Sequence, residues 1–311
     1  IVWEAILIPI IFIIGTWGSQ KRAYASIKLF LYTFLGSTGL LAALLYLGHQ
    51  HASPNFNIQD FYLLKLNWTE QLLIFSAFFI AFTVKVPLWP LHTWLPDAHT
   101  EAPTEGSMVL AALLLKLGTY GLLRFCLPIV PDAVQWSAPI VCGLSFVAII
   151  YAGLVALAQT DMKRLIAYSS IAHMGIIVLG IFVVFLQSQT QPESLHFEKL
   201  ALEGASCQMI AHALSAAGLF LCVGLLYRRF HSRQIADYQG LAEMMPLPAG
   251  ICLLFLLSAI GLPGTAGFVG EFLIIISAVH TNFWVGWLAA ITLLLSAAYT
   301  LWFYIRIFWG E

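Results

Sequence analysis

Residues 75–99 read FSAFFIAFTVKVPLWPLHTWLPDAH and place Lys85 at the end of an apolar run, just before a segment interrupted by prolines. A second lysine, Lys116, lies inside VLAALLLKLGTYGLL, residues 109–123. Both runs are apolar enough to form membrane-spanning helices. An ammonium group at the centre of a membrane costs about 3 kcal/mol on insertion scales, so it is retained mainly where it has a function, usually in moving ions or protons.

The composition is that of a polytopic membrane protein. Of the 311 residues, 60% are hydrophobic and 9% are charged, whereas a soluble domain has roughly 25% charged residues. A spanning helix needs about 20 apolar residues. Nine segments fit this length, near residues 1–17, 25–48, 69–87, 105–127, 135–158, 165–187, 204–227, 247–279 and 284–308. We therefore expect an all-α fold in which residues 1–311 form a single membrane domain.

Basic residues concentrate on one side of the membrane if the nine segments alternate in direction. That side receives Lys21, Arg22, Lys163, Arg164, Arg228, Arg229, Arg233 and Arg306, and the other side receives Lys65 and Lys199, with Arg124 near it. An excess of Lys and Arg marks the cytoplasmic side, so the first segment is expected to run from outside to inside. The net charge of −1 argues against a nucleic-acid partner. The five cysteines lie apart without CxxC spacing, which predicts neither a metal site nor a disulfide framework.

Seven ionisable side chains fall within the predicted spans: Glu4, Lys28, Lys85, Lys116, His173, His212 and Glu271. A lysine at membrane depth either pairs with a carboxylate or loses its charge, and either state suits a proton relay; a structural ion pair is the alternative. Lys28 closely follows a basic loop and can extend its ammonium group to the membrane surface. The two histidines have small neighbours that leave room for water, although an interhelical hydrogen bond is the alternative role.

Helix-breaking residues interrupt the third and the eighth predicted spans. They are Pro87, Pro90 and Pro96 in the third, and Gly261, Pro263, Gly264 and Gly267 in the eighth. Interrupted helices at matching positions of two repeats indicate a transport path. The two breaks lie five spans apart, which predicts two five-helix repeats of inverted topology.

Several segments together resemble the antiporter-like M-subunit family of proton-translocating NADH:quinone oxidoreductase, respiratory complex I, whose mitochondrial equivalent is chain 4. They are WEAILIPIIFIIGTWG, FTVKVPLWPLHTWLPDAHTEAPTEGSMVLAALLLKLGTYGLLRF, DMKRLIAYSSIAHMG, QMIAHALSAAGLFL and GLPGTAGFVGEF. The resemblance implies an antiporter-like helical bundle, of which this chain is expected to be a fragment trimmed at both ends. It also implies an insertion near residues 187–197. The chain begins in an apolar run without a basic leader, so we expect a trimmed span there and not a signal peptide.

The resemblance also implies a function and a set of site residues. The expected function is proton translocation, with Glu4 tuning Lys85 and with redox chemistry supplied by other subunits of the enzyme. The expected proton relay is Glu4, Lys85, Lys116, His173, His212 and Glu271, supported by Pro87, His92 and Pro263. No cofactor or metal is expected in this chain, whereas NADH, flavin, iron–sulfur clusters and quinone are expected in partner subunits. Expected partners are the lipid bilayer and other complex I membrane subunits, including neighbouring antiporter-like ones. The expected location is a bacterial inner membrane, and an organellar inner membrane is the less favoured alternative.

Three other functions remain open at the level of sequence. A subunit of a multisubunit cation/proton antiporter or of a membrane-bound hydrogenase would use the same helices and lysines. A membrane cytochrome could use His173 and His212 as haem ligands, but it would leave the buried lysines unexplained. A non-conducting scaffold would leave Lys85, Lys116 and Glu271 without a role.

Overall fold

A computed structural model describes residues 2–50, 55–186 and 194–309, which are nearly all helical. Residues 187–193, within the expected insertion, lie outside this description, as do residues 1, 51–54, 310 and 311. In chain order the helices are α1 (Val2–Trp17), α2 (Arg22–Gly48), α3 (Trp68–Lys85), α4 (Trp94–Glu101), α5 (Thr104–Ile129), α6 (Pro131–Leu157), α7 (Met162–Leu186), α8 (Ser194–Phe230), α9 (Pro246–Ile260), α10 (Ala266–Thr281) and α11 (Phe283–Trp309). Shorter helical turns lie at Ile58–Phe61, Ile235–Asp237 and Leu241–Met244.

The helices agree with the predicted membrane spans. Among the described residues, seven helices are long and apolar enough to cross a membrane by length and composition: α2, α3, α5, α6, α7, α8 and α11. The shorter apolar helices α1, α9 and α10 complete the predicted set, because α9 and α10 are the two halves of one broken span. Polar side chains cap the first turns of some of these helices. Asn67 and Glu70 cap the start of α3 reciprocally, and Asp161 accepts from the backbone N–H of Arg164 at the start of α7.

Both predicted breaks are present. Residues 86–93 separate α3 from α4, and residues 261–265 separate α9 from α10. Pro87 lies in the first break and Pro263 in the second, where Gly261 takes a positive φ of 77°. Because each connection between spans reverses the chain direction, two spans that are five apart run in opposite directions. The inverted arrangement predicted from the break positions therefore agrees with the fold.

Helix α5 has an irregularity that the sequence did not predict. Its backbone widens into π-helical turns at Leu110–Leu114 and at Leu122–Cys126. These turns lie on either side of Lys116. Turns of this kind are rare and are often found at functional sites, because they leave a carbonyl group without its usual helical partner.

Helix α7 is the central helix of the bundle. Nearly all of its side chains are buried, and it packs against α4, α6, α8, α10 and α11. A helix that is apolar on every side is stable only when it is surrounded. This position brings His173, near the middle of α7, into reach of side chains from several other helices.

The connections that were predicted to be cytoplasmic do lie together. The backbone N–H of Ser19 donates to the carbonyl oxygen of Glu101 at 2.9 Å, and that of Met162 donates to the carbonyl oxygen of Arg233 at 3.0 Å. We call the surface formed by residues 18–22, 101–105, 158–164 and 228–235 the basic face. Lys28 extends toward this side and forms an ion pair with Asp97 at 2.7 Å.

Candidate functional site

Glu271 and His173 form a buried pair at the centre of the bundle. Glu271 lies near the start of α10, just after the second break, and its side chain is 1% exposed. His173 Nδ1 lies 3.0 Å from Glu271 Oε1. Gln208, on α8, donates from Nε2 to the same Glu271 oxygen at 2.8 Å. Glu271 Oε2 is buried and has no hydrogen-bond partner among the described residues.

Tyr299 gives His173 its second partner. The Tyr299 hydroxyl, on α11, lies 3.1 Å from His173 Nε2. His173 is therefore held at both ring nitrogens, between a hydroxyl and a carboxylate. Gln208 and Tyr299 are site residues that sequence reasoning missed. Neither is ionised in ordinary conditions, so the search for charged groups at membrane depth did not find them.

Lys116 and His212 form a second buried pair. Lys116 Nζ lies 2.6 Å from His212 Nδ1, and it donates to the carbonyl oxygen of Ala111 at 2.6 Å. Ala111 belongs to the first π-helical turn of α5, so the widened backbone supplies an acceptor one turn away from the lysine. No carboxylate lies within ion-pair distance of Lys116 among the described residues.

The two pairs join into one line of titratable groups. The rings of His173 and His212 lie with their centroids 5.6 Å apart. The side chains of Lys116, His212, His173 and Glu271 thus follow one another across α5, α8, α7 and α10, and we call them the buried row. Within each pair the two side chains lie at hydrogen-bond distance, and between the pairs the two imidazole rings are neighbours. The sequence nominated all four, and the structure brings them together.

Lys85 lies in a separate pocket at the end of α3. It is fully buried, donates from Nζ to the carbonyl oxygen of Trp3 at 2.8 Å, and lies 3.7 Å from the centre of the Trp3 ring. Glu4 is within electrostatic range but does not form an ion pair with it. Glu4 Oε1 is buried without a hydrogen-bond partner. The expected partnership between Glu4 and Lys85 is therefore one of proximity and not of contact.

Helices α3 and α5, which carry Lys85 and Lys116, pack closely against each other. A methyl group placed on Gly118 of α5 would lie 2.6 Å from the backbone oxygen of Phe82 on α3. The two helices therefore meet almost backbone to backbone at Gly118 and Phe82. No hydrogen bond joins Lys85 to Lys116 among the described side chains.

The expected supporting residues lie outside the buried row. Pro87 and Pro263 shape the two breaks. His92 lies in the first break and is 4% exposed. Its ring packs edge-on against Tyr151 at 5.5 Å. It is thus a packed side chain whose Nδ1 has no hydrogen-bond partner.

His99, on α4, is a buried group that sequence reasoning did not select. Its ring stacks on Phe220 at 4.5 Å, and neither ring nitrogen has a hydrogen-bond partner in the protein. It lies within electrostatic range of Lys116 and of Lys163. The sequence did offer a signal for His99, because it lies in the same proline-interrupted apolar segment as Lys85.

The geometry bears on the haem alternative and on metal binding. Both nitrogens of His173 already face partners, and His212 Nδ1 faces Lys116. This arrangement argues against His173 as an axial ligand to haem iron. Within the described ranges, no group of three or more His, Cys, Asp or Glu side chains is placed to hold a metal ion.

Several known proteins are similar to this chain. A family model described as "NADH:quinone oxidoreductase/Mrp antiporter, TM" matches residues 1–296. NADH-quinone oxidoreductase subunit M of Rhodobacter capsulatus is 47% identical, over 99% of this chain and 60% of that protein. Subunit M of Rickettsia prowazekii is 46% identical, with the same 99% and 60% coverage. NADH-ubiquinone oxidoreductase chain 4 of Marchantia polymorpha is 44% identical, again over 99% and 60%.

The fold is similar to that of a solved structure. A chain of respiratory complex I from Thermus thermophilus with bound NADH superimposes with a TM-score of 0.90 and 33% identity, covering 99% of this chain and 63% of that one. The predicted all-helical, multi-pass membrane fold is thereby confirmed, and the bacterial relatives agree with the predicted inner-membrane location. The chain spans about 60% of the length of the curated relatives it matches.

Proposed function

Because the chain belongs to the NADH:quinone oxidoreductase/Mrp antiporter family, we propose that it is a proton-translocating membrane subunit of an NADH:quinone oxidoreductase. The observation that supports this proposal most directly is the buried row. Four titratable side chains lie one after another at the centre of a largely apolar bundle. Intramembrane ionisable groups that pair with one another typically mark a proton relay.

In this proposal a proton moves along the row by short transfers. Lys116 Nζ passes it to His212 Nδ1 across 2.6 Å. His212 then releases a proton from its other ring nitrogen toward His173, whose ring centre lies 5.6 Å away. His173 takes up that proton at Nε2 and passes one from Nδ1 to Glu271 Oε1 across 3.0 Å. Imidazole suits this step because it can take up a proton at one nitrogen and release one from the other.

Lys85 is the entry group of the proposed path, and Glu4 tunes it. An ionised carboxylate close to an ammonium group favours the charged form of the lysine. Movement of Glu4 away from Lys85 then favours release of the proton toward Lys116. One tenfold change in proton occupancy corresponds to about 1.4 kcal/mol, so a small change in that separation is sufficient. The proton then leaves from Glu271, on the side of the membrane opposite to the one from which it entered.

The remaining parts of the proposal concern the whole enzyme. We propose that residues 1–311 act as one membrane domain and that the energy comes from oxidation of NADH in other subunits. Flavin, iron–sulfur clusters and quinone belong to those subunits. Partners in the membrane are other complex I subunits, including neighbouring antiporter-like ones.

Pumping by the assembled complex tests the proposed function. We expect Lys85→Ala, Lys116→Ala and Glu271→Ala each to lower the proton-to-electron ratio of NADH oxidation in membrane vesicles to near that of a complex without this proton path. The physical reason is that each substitution removes a group that must hold the proton at membrane depth. The measurement is acidification of inverted vesicles, per NADH oxidised.

Glu203→Ala is the matched control, since Glu203 is an exposed glutamate on α8 whose side chain is 52% exposed. Its pumping ratio is expected to equal that of the unchanged protein. Normal pumping by the Glu271→Ala and Lys85→Ala variants would refute the proposed function.

The family description also covers Mrp antiporters, and NADH-independent cation/proton exchange by the assembled complex would favour that second function.

A further inference from the structure

Lys85 has an unusual environment for a buried ammonium group. Its side chain is fully buried, and no carboxylate oxygen of the described residues lies within 4.0 Å of its nitrogen. A buried charge without a partner is strongly destabilising. Some other group must therefore hold the charged form of this lysine when it carries a proton.

Trp3 provides two direct contacts to that nitrogen. The indole ring centre lies 3.7 Å from Lys85 Nζ, well inside the distance at which a cation is attracted to an aromatic face. The backbone carbonyl oxygen of the same residue accepts a hydrogen bond from Nζ at 2.8 Å. The ring and the carbonyl therefore bind the ammonium group from one residue.

The Trp3 ring is itself fixed by neighbours. Its indole N–H donates to Ser37 Oγ on α2 at 3.3 Å. Its ring packs edge-on against Phe82 of α3, with centroids 5.4 Å apart. Phe82 lies one turn before Lys85, so α3 both contacts the ring and carries the cation. A rigid ring is more effective than a mobile one because little entropy is lost when the cation binds.

We propose that Trp3 is the positioning residue that holds the protonated Lys85, while Glu4 acts on it only from a distance. This inference rests on the proposed function, because it concerns the entry group of the same path. A neutral partner has a consequence for the mechanism. It stabilises the ammonium group less than a full ion pair does, so the proton is retained and yet can be released. It also leaves the Glu4 carboxylate free to move without breaking a contact to the lysine.

Substitution of Trp3 in the assembled complex is the first test. We expect Trp3→Leu to lower the rate of proton pumping about thirtyfold, since a desolvated cation–π contact has an energy equivalent to roughly that factor. Trp3→Phe keeps an aromatic face and is expected to retain an intermediate rate. Trp284→Leu is the control, because Trp284 is 68% exposed and its ring packs against Phe283; the rate of this variant should be unchanged. Equal loss in the Leu and Phe variants, or no loss in either, would overturn the proposal.

A second measurement separates the electrostatic role from a packing role. Tryptophan carrying one to four ring fluorines, introduced only at position 3, keeps nearly the same size while its aromatic face becomes less negative. We expect the pumping rate to fall steadily as fluorines are added, whereas a ring that acts only by packing gives no trend. A flat series overturns the inference even if Trp3→Leu fails to assemble. Lys85→Ala distinguishes the two proposals: if that variant pumps normally the proposed function fails, and if it is inactive beside a flat series only the role of Trp3 fails.

Discussion

Glu271 uses its two carboxylate oxygens differently. Oε1 accepts from Gln208 and faces His173, whereas Oε2 has no hydrogen-bond partner and points toward Gly261 in the second break. A buried carboxylate oxygen without a partner is unfavourable unless water or a proton satisfies it. In the proposed relay, Oε2 is therefore the carboxylate oxygen available to exchange a proton with water at the second break.

The Tyr299 hydroxyl is the hydrogen-bond partner of His173 Nε2. We expect Tyr299→Phe to reduce the pumping rate by about threefold to tenfold, because one hydrogen bond worth about 1 kcal/mol is lost and His173 Nε2 is left without its partner. Tyr304→Phe is the matched control on the same helix, since the Tyr304 ring stacks near Phe308 and does not contact the row. Pumping is measured per NADH oxidised, and similar rates for the two variants would remove Tyr299 from the path.

At the scale of helices, irregular backbone supplies the polar groups of the site. The π-helical turn at Leu110–Leu114 presents the Ala111 carbonyl to Lys116. The break at 261–265 brings the ends of α9 and α10 together next to Glu271. In a regular helix these backbone groups would be hydrogen-bonded within the helix. The departures from regularity therefore leave backbone polar groups available beside the buried row.

Substitution of Gly261 tests whether the shape of the second break matters for pumping. A methyl group at this position would lie 2.8 Å from Glu271 Oε2, and its φ of +77° strains any residue with a Cβ atom. We expect Gly261→Ala to lower the pumping rate about tenfold. The left-handed backbone is strained by roughly 1–2 kcal/mol when the residue has a Cβ atom, and the added methyl group crowds the Glu271 carboxylate. Gly250→Ala, within α9, has open space around the added methyl and should pump normally. Full pumping by Gly261→Ala would show that this contact is unimportant.

At the scale of the whole molecule, charge separates the two surfaces. On the basic face, Arg228 pairs with Glu105 at 3.3 Å and Arg233 pairs with Asp161 at 3.5 Å. A cavity of about 680 Å³ and another of about 750 Å³ open there, and both are lined in part by Arg233. Water can therefore approach the buried interior from this side.

Cysteine labelling measures the orientation of the molecule. In a Cys207→Ser background, which removes the exposed native thiol, we expect Gln20→Cys to react with a membrane-impermeant maleimide only in inverted vesicles. Gln59→Cys is expected to react in intact spheroplasts, because it follows α2 on the opposite side. The basis is the excess of Lys and Arg on the face that carries Gln20. The reverse pattern of labelling would contradict the assigned orientation.

The sequence by itself determined the membrane class, the approximate spans, both breaks and the ionisable residues worth attention. These features are local: a run of about 20 apolar residues, a proline or a buried charge can be recognised without knowing what lies beside it. The tertiary structure alone decided the partnerships. His212 meets Lys116 from 96 residues away, Glu271 meets His173 from 98, and Trp3 meets Lys85 from 82. Helices that are apolar all round give little signal about which face meets which neighbour, so only their packing assigned Trp3, and not Glu4, to the ammonium group of Lys85.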